Sequence, residues 1–193
     1  MIFRRFTPGR HGRIEVITGC MFSEKTSEAI RRAKAAMYAR QRVIAFKHRN
    51  DQRYHPEELA THCGTRLMGF PVDSIAEMRE LVTKGTHMIV VDEAQFFPDE
   101  LLDYIIEERN IGRRIIVSGL NMDFAGRPFA GPMPGILAIA NHVSVRTAVC
   151  TICGAPAHYS QRLTNSIAVV DVGESEKYAA RCIRHWDKGI LIT

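Results

Sequence analysis

Apolar residues in this chain fall into short unbroken runs, separated by longer stretches in which they recur with helical spacing. The runs read as strands buried on both faces, the pattern of a parallel sheet. They are Ile14–Thr18, Arg42–Lys47, His87–Asp92, Arg114–Gly119 and His142–Thr147. The stretches between them predict helices over Ser27–Arg40, Ser74–Lys84, Glu100–Asn110 and Ile136–Asn141. Ser74 followed by Glu77 is a capping box, and Gly85 and Gly112 stand where helices should stop. Strand and helix alternate, so the expected class is α/β: a doubly wound, mostly parallel sheet with ligands at the carboxyl ends of its strands.

Two stretches break the alternation. His48–Phe70 is polar, with Asn50, Asp51, Pro56 and Gly64, and is too long for an idle connection; it predicts a lid or binding loop. Asn121–Pro134 carries Gly126, Pro128, Gly131 and Pro132 around Phe124 and Phe129. After Thr147 the pattern ends and a cysteine-bearing module begins. The expected organisation is a basic extension over 1–12, a nucleotide-binding α/β unit over 13–147 and a metal-binding module over 148–193.

A chain of 193 residues can bury one full core and one small appended module. With 46% apolar and 24% charged residues it is neither disordered nor fibrous. No apolar run of signal-peptide length follows the basic start, and none approaches a membrane span, so the expectation is a cytoplasmic protein with no membrane partner. The net charge of +5 suits a polyanion, either nucleic acid or nucleotide phosphates. The positive residues are spread over Arg31, Arg32, Lys34, Arg40, Arg42, Lys47, Arg49, Arg53, Arg113 and Arg114, without a block or interleaved aromatics. They read as solvated helix face rather than a nucleic-acid surface. Five cysteines with no secretory signal argue against a disulfide framework and for reduced thiols plus a metal; Cys20 and Cys63 read as plain small side chains.

The stretch after the first strand carries chemistry. Gly19-Cys20-Met21-Phe22-Ser23-Glu24-Lys25-Thr26 has the layout of a P-loop, G-x-x-x-x-G-K-S/T, with Glu24 at the second glycine position. In such a loop backbone N–H groups and the following helix N-terminus hold phosphates, the lysine reaches the β and γ phosphates, and the hydroxyl ligates magnesium. Gly19, Met21, Phe22, Ser23, Lys25 and Thr26 are therefore the candidate phosphate residues, and Mg²⁺ with ATP the expected cofactor. Met88-Ile89-Val90-Val91-Asp92-Glu93 is a second element of the same kind, a buried strand ending in two carboxylates. The first acid can hold a magnesium water shell and the second can accept a proton from an attacking hydroxyl.

Cys150-Thr-Ile-Cys153 and Cys182-Ile-Arg-His185, 28 residues apart, are two chelating pairs. Tetrahedral zinc needs two such pairs brought together, and four protein ligands leave no open position for catalysis, so the predicted ion is structural. Gly154 suits the turn of a zinc knuckle, and His158 is the reserve ligand should His185 not be the fourth.

These segments resemble the type II thymidine kinases of animals, bacteria and large DNA phages. The likeness runs from Gly12 to about Trp186 and includes Asp51-Gln52-Arg53-Tyr54, Asp92-Glu93-Ala94-Gln95-Phe96-Phe97, Leu120-x-x-Asp123-Phe124, Pro128-Phe129, Tyr159-x-x-Arg162-Leu163, Lys177-Tyr178 and both metal pairs. The resemblance implies a RecA-like P-loop fold with a small zinc-ribbon module carrying a lasso loop. It implies transfer of the ATP γ-phosphoryl group to the 5′-hydroxyl of deoxythymidine, with Glu93 as general base, Asp92 as the magnesium acid, and Asp51 and Arg53 as a lid pair beside the phosphates. The nucleoside pocket it implies comprises Met21, Phe96, Leu120, Phe124, Phe129, Ser160 and Tyr178, with lasso main chain near Val169, Asp171 and Gly173 meeting the polar edge of the base. Ser160 stands where relatives often have threonine. A homotetramer and feedback by dTTP are further implications.

Glu24 departs from the pattern: a side chain at a glycine position costs backbone strain, and its charge lies close to the phosphates, which predicts weakened nucleotide binding or turnover. Asn121 and His185 are milder departures from common aspartate and cysteine. Two other readings compete with the kinase: a zinc-containing P-loop ATPase acting on nucleic acid, and a catalytically inactive relative that retains nucleoside binding.

Overall fold

A computed structural model describes residues 12–49, 58–60, 64, 66–164 and 176–187. Chain order is β1 (Arg13–Gly19), α1 (Lys25–Tyr38), β2 (Val43–His48), β3 (Glu58–Ala60), β4 (Arg66–Met68), β5 (Phe70–Val72), α2 (Ile75–Leu81), β6 (Met88–Asp92), α3 (Glu100–Asn110), β7 (Arg114–Gly119), α4 (Met133–Ile139) and β8 (His142–Arg146). Four short strands follow: β9 (Ala148–Val149), β10 (Pro156–Ala157), β11 (Tyr159–Arg162) and β12 (Tyr178–Arg181).

Six strands form one parallel sheet in the order β5-β2-β6-β7-β1-β8. Alternate residues of each strand face opposite layers. Ile14, Val16, Ile89, Val91, Ile115 and Val117 pack with Met78, Leu101, Tyr104, Ile105 and Ile136 of α2, α3 and α4. Ile17, Val90 and Ile116 meet Ala29, Ile30, Ala33 and Ala36 of α1 on the other face, where the small alanine side chains bring the helix close to the sheet. Helices therefore cover both faces, as the alternation predicts, and the carboxyl ends of β1, β6 and β7 share one edge.

Several expected boundaries shift. The α1 helix begins at Lys25 and ends at Tyr38, with Arg40 beyond it in left-handed backbone at φ 58°. The α2 helix stops at Leu81 rather than Lys84, because β-branched Val82 is already extended and the Thr86 N–H donates to Thr83 O. Half of its capping box is present: Glu77 N–H donates to Ser74 Oγ at 3.3 Å, while the Glu77 carboxylate accepts from the Ser74 hydroxyl at 3.1 Å and from Asp73 N–H at 3.4 Å. The α4 helix covers Met133–Ile139, not Ile136–Asn141. Pro134 is tolerated in its first turn, while Asn141 leaves the helix to pair with β1, accepting from Ile14 N–H at 2.8 Å. The expected lid stretch contains the antiparallel pair β3–β4 and ends at the first residue of the edge strand β5.

The charge reading also needs correction. Arg31 is solvated, but Lys47 is 3% exposed, and Arg32, Arg113 and Arg114 are engaged with carboxylates. Lys47, Arg113 and Arg114 are not on helices. Glu15, inside β1, accepts from Arg114 Nε at 2.6 Å, Arg13 Nε at 2.7 Å and Arg32 Nη1 at 3.0 Å. Burial acts to raise its pKa, but Arg114, Arg13 and Arg32 together hold the carboxyl below its usual range.

Candidate active site

Beyond β1 the chain turns through Cys20–Glu24 into α1. Gly19, at φ 139°, is dictated by the neighbouring strand: a Cβ there would lie 2.1 Å from the Arg146 carbonyl oxygen of β8. Phe22 and Glu24 adopt left-handed backbone at φ 64° and 58°, which curls the loop tightly. Ser23 Oγ donates to Cys20 O at 2.8 Å and Lys25 Nζ to the same carbonyl at 2.7 Å, so the loop closes on itself with Lys25 only 8% exposed. Glu24 points outward, its carboxylate 3.8 Å from Arg146 Nη2.

Thr26, in the first turn of α1, donates its hydroxyl proton to Asp92 Oδ2 at 2.9 Å. That bond brings the phosphate-loop pattern and the acidic end of β6 together across the intervening β7. Asp92 and Glu93 are 3% and 8% exposed. Glu93 sits in left-handed backbone at φ 51°, before a single 3₁₀ turn at Ala94–Phe96. Gln95 donates to its Oε2 and accepts from Leu120 N–H at 3.0 Å, so one amide joins the end of β6 to the end of β7. Gln95 had no role in the sequence reading, although it lies inside the acidic motif.

The residues expected around a base fall into linked contacts. Phe96 and Phe129 meet edge to face with centroids 6.5 Å apart. Arg162 is 1% exposed; its guanidinium lies 3.7 Å from the Phe124 ring centroid and donates to Tyr178 Oη at 2.8 Å. Trp186 stacks on Tyr159 at 4.3 Å and donates to Phe124 O at 3.2 Å. Arg162 stands in the Tyr159-x-x-Arg162-Leu163 motif, and neither it nor Trp186 has a role legible there. Ser160 and Arg162 stand two apart on β11 and are both buried. Ser160 is 5% exposed and accepts from Met21 N–H at 3.0 Å. The Met21 N–H is therefore turned to β11, away from the role of a free phosphate donor. Asp51, Arg53, Val169, Asp171 and Gly173 lie outside the described residues.

Four side chains of the C-terminal module converge. The ligand atoms of Cys150, Cys153, Cys182 and His185 lie within 4.8 Å of one another. Cys153 Sγ is 3.7 Å from Cys182 Sγ, and His185 Nδ1 is 3.7 Å from Cys150 Sγ and 3.4 Å from Cys182 Sγ. Tetrahedral zinc with ordinary bond lengths requires edges of about 3.8 Å between sulfurs and about 3.5 Å between sulfur and nitrogen. The donors fit that ion. Burial acts to raise the Cys150 thiol, but backbone hydrogen bonds at Cys182, Ile152 and Cys153 and the His185 ring outweigh it and lower it to about 5, toward the thiolate that binds metal. His158 is exposed and stands outside the group. Cys20 is buried beside this module, where burial pushes its thiol up. Cys63 lies outside the described residues.

The comparisons with known proteins agree with this geometry. A family model described as thymidine kinase matches residues 12–186. A thymidine kinase of Rhodothermus sp. (strain ITI 518) is 45% identical over 176 residues, covering 91% of this chain and 82% of the relative. Nearly the whole chain is matched, all four candidate metal donors included, and the protein belongs to the thymidine kinase family.

Proposed function

We propose that this kinase transfers the γ-phosphoryl group of ATP to the 5′-hydroxyl of deoxythymidine. The observation that carries the reading is the hydrogen bond from Thr26 to Asp92, which ties the phosphate loop to the strand end bearing Glu93. Loop N–H groups around Phe22 and Ser23, with the Lys25 ammonium, receive the phosphates; Gly19 lets the backbone turn. The Thr26 hydroxyl and Asp92 carboxylate are hard oxygen donors that would hold magnesium directly or through water, and the bound ion neutralises charge on the phosphates. Glu93 accepts the 5′-hydroxyl proton as the new oxygen–phosphorus bond forms and the bond to the ADP leaving group breaks. Gln95 holds that carboxylate in place. Asp51 and Arg53 complete the phosphate side, Arg53 offsetting charge that develops in transfer.

The base lies among Met21, Phe96, Leu120, Phe124, Phe129, Ser160 and Tyr178, with main chain at Val169, Asp171 and Gly173 meeting its polar edge. Structural zinc on Cys150, Cys153, Cys182 and His185 pins the ends of the intervening segment, within a module spanning 148–193 that follows the nucleotide-binding unit of 13–147. A homotetramer with dTTP feedback in the cytoplasm belongs to the same reading. Among the described residues no helix is long and apolar enough to cross a membrane.

ADP release measured with deoxythymidine, with single-stranded DNA and with neither tests the proposal. Stimulation by the nucleoside alone supports it; stimulation by DNA alone contradicts it. Glu24 favours a second reading, a relative that binds nucleoside without turnover, and nucleoside binding with no ADP release selects that one.

A further inference from the structure

The phosphate loop leans on the metal-bearing module through two adjacent residues. Cys20 Sγ donates to Ala157 O of β10 at 3.3 Å, and Met21 N–H donates to Ser160 Oγ of β11 at 3.0 Å. Ser160 pairs with Ala180 of β12, two positions before the metal-set residue Cys182, and Cys20 packs in one apolar cluster with Cys150, Ala157, Ala180 and Cys182. An unbroken series of contacts therefore runs from the metal donors to the loop backbone. The Met21 N–H is partly buried, so losing its acceptor is costly to the extent that water cannot replace it, and a loop with two left-handed residues close by has few ways to recover by a small shift.

We propose that Ser160 is a positioning residue for the phosphate loop: by accepting the Met21 N–H, its hydroxyl oxygen makes the β11–β12 ribbon set the loop's shape, and with it the affinity for the nucleotide donor. This rests on the reading of Gly19–Thr26 as a nucleotide site. It differs from the role of lining the base, because it reaches the donor side with no nucleoside bound.

The test is calorimetric binding of ADP and of a non-hydrolysable ATP analogue, with magnesium and without nucleoside, to wild type and to Ser160→Ala, Ser160→Cys and Ser160→Thr. Cysteine keeps nearly the same volume but accepts hydrogen bonds poorly, so it covers the case in which alanine impairs folding. Alanine and cysteine should weaken binding by about five- to tenfold, while threonine, which keeps the hydroxyl, stays within about twofold of wild type. Hydrogen exchange at the Met21 amide should rise in step, a change that a role confined to the base does not produce. Nucleotide binding by Ser160→Cys as tight as wild type, with Met21 still protected, overturns the proposal. Wild type that binds no nucleotide overturns the underlying reading and this inference with it.

Discussion

Two glutamates, Glu24 just before α1 and Glu93 just after β6, share a backbone conformation and differ in almost everything else. Glu24 has φ 58° and ψ 34°, and Glu93 has φ 51° and ψ 44°. Such left-handed positions cost a bulky residue on the order of 1–3 kcal/mol each. At Glu93 the surroundings over-determine the strain: the carboxylate is 8% exposed, Gln95 grips it, and the 3₁₀ turn behind it is buried at Ala94 and Gln95. At Glu24 the side chain is 62% exposed and its neighbour Arg146 is 3.8 Å away. The same local geometry holds a buried, hydrogen-bonded carboxylate in one case and carries an exposed one in the other, so strain marks a candidate site only where burial and hydrogen bonds aim the group.

The sharpest way to break this contrast is Glu93→Gln, which keeps the shape and removes the proposed base. The kcat should fall by about 10²–10⁴-fold with little change in nucleoside KM; a loss under tenfold would put Glu93 level with Glu24. A third glutamate, Glu15, sharpens the comparison from within the strand, where three arginines engage it. Its folded pKa is depressed, so its stabilisation is full above the unfolded carboxyl pKa and is lost as pH falls through the folded value. Urea titrations between neutral and acid pH should show Glu15→Gln less stable by about 2 kcal/mol near pH 7, the arginines being partly exposed, with that deficit shrinking in acid. Smallest is Glu24→Gly. Relief of strain, partly offset by the entropy glycine adds to the unfolded chain, should raise stability by about 1 kcal/mol and tighten ATP binding a few fold; unchanged KM for ATP would show that the outward carboxylate does not reach the phosphates.

Much of the sheet was legible because β1, β6 and β7 are buried on both faces and read as unbroken apolar runs. The expectation fails for β8, which closes the sheet as an edge strand with Val143 and Val145 exposed. Arg114–Gly119 and Glu100–Asn110 fall within the predicted bounds. Phe70–Val72 escaped because it is three residues with a proline in the middle, a sequence that only an edge position allows. The strands of two to four residues in the C-terminal module carry too few alternations to show a period, and their placement depends on the converging donors. The metal set was readable from spacing alone, since a chelating pair is local. Arg162 was not: composition counts a guanidinium as surface charge, and only the packed structure reveals one stacked on Phe124 and bonded to Tyr178. The same limit hid the engagement of Lys47, Arg113 and Arg114.

The central claim is that the loop after β1 and the acids ending β6 act as one phosphoryl-transfer site. Phosphorus NMR of wild type and Glu93→Gln, incubated with magnesium, ATP and deoxythymidine, follows the γ-phosphorus itself. The account predicts a 5′-monophosphate signal growing in step with ADP for wild type and nearly absent for the variant; inorganic phosphate in place of the monophosphate, or equal rates for the two proteins, would contradict it.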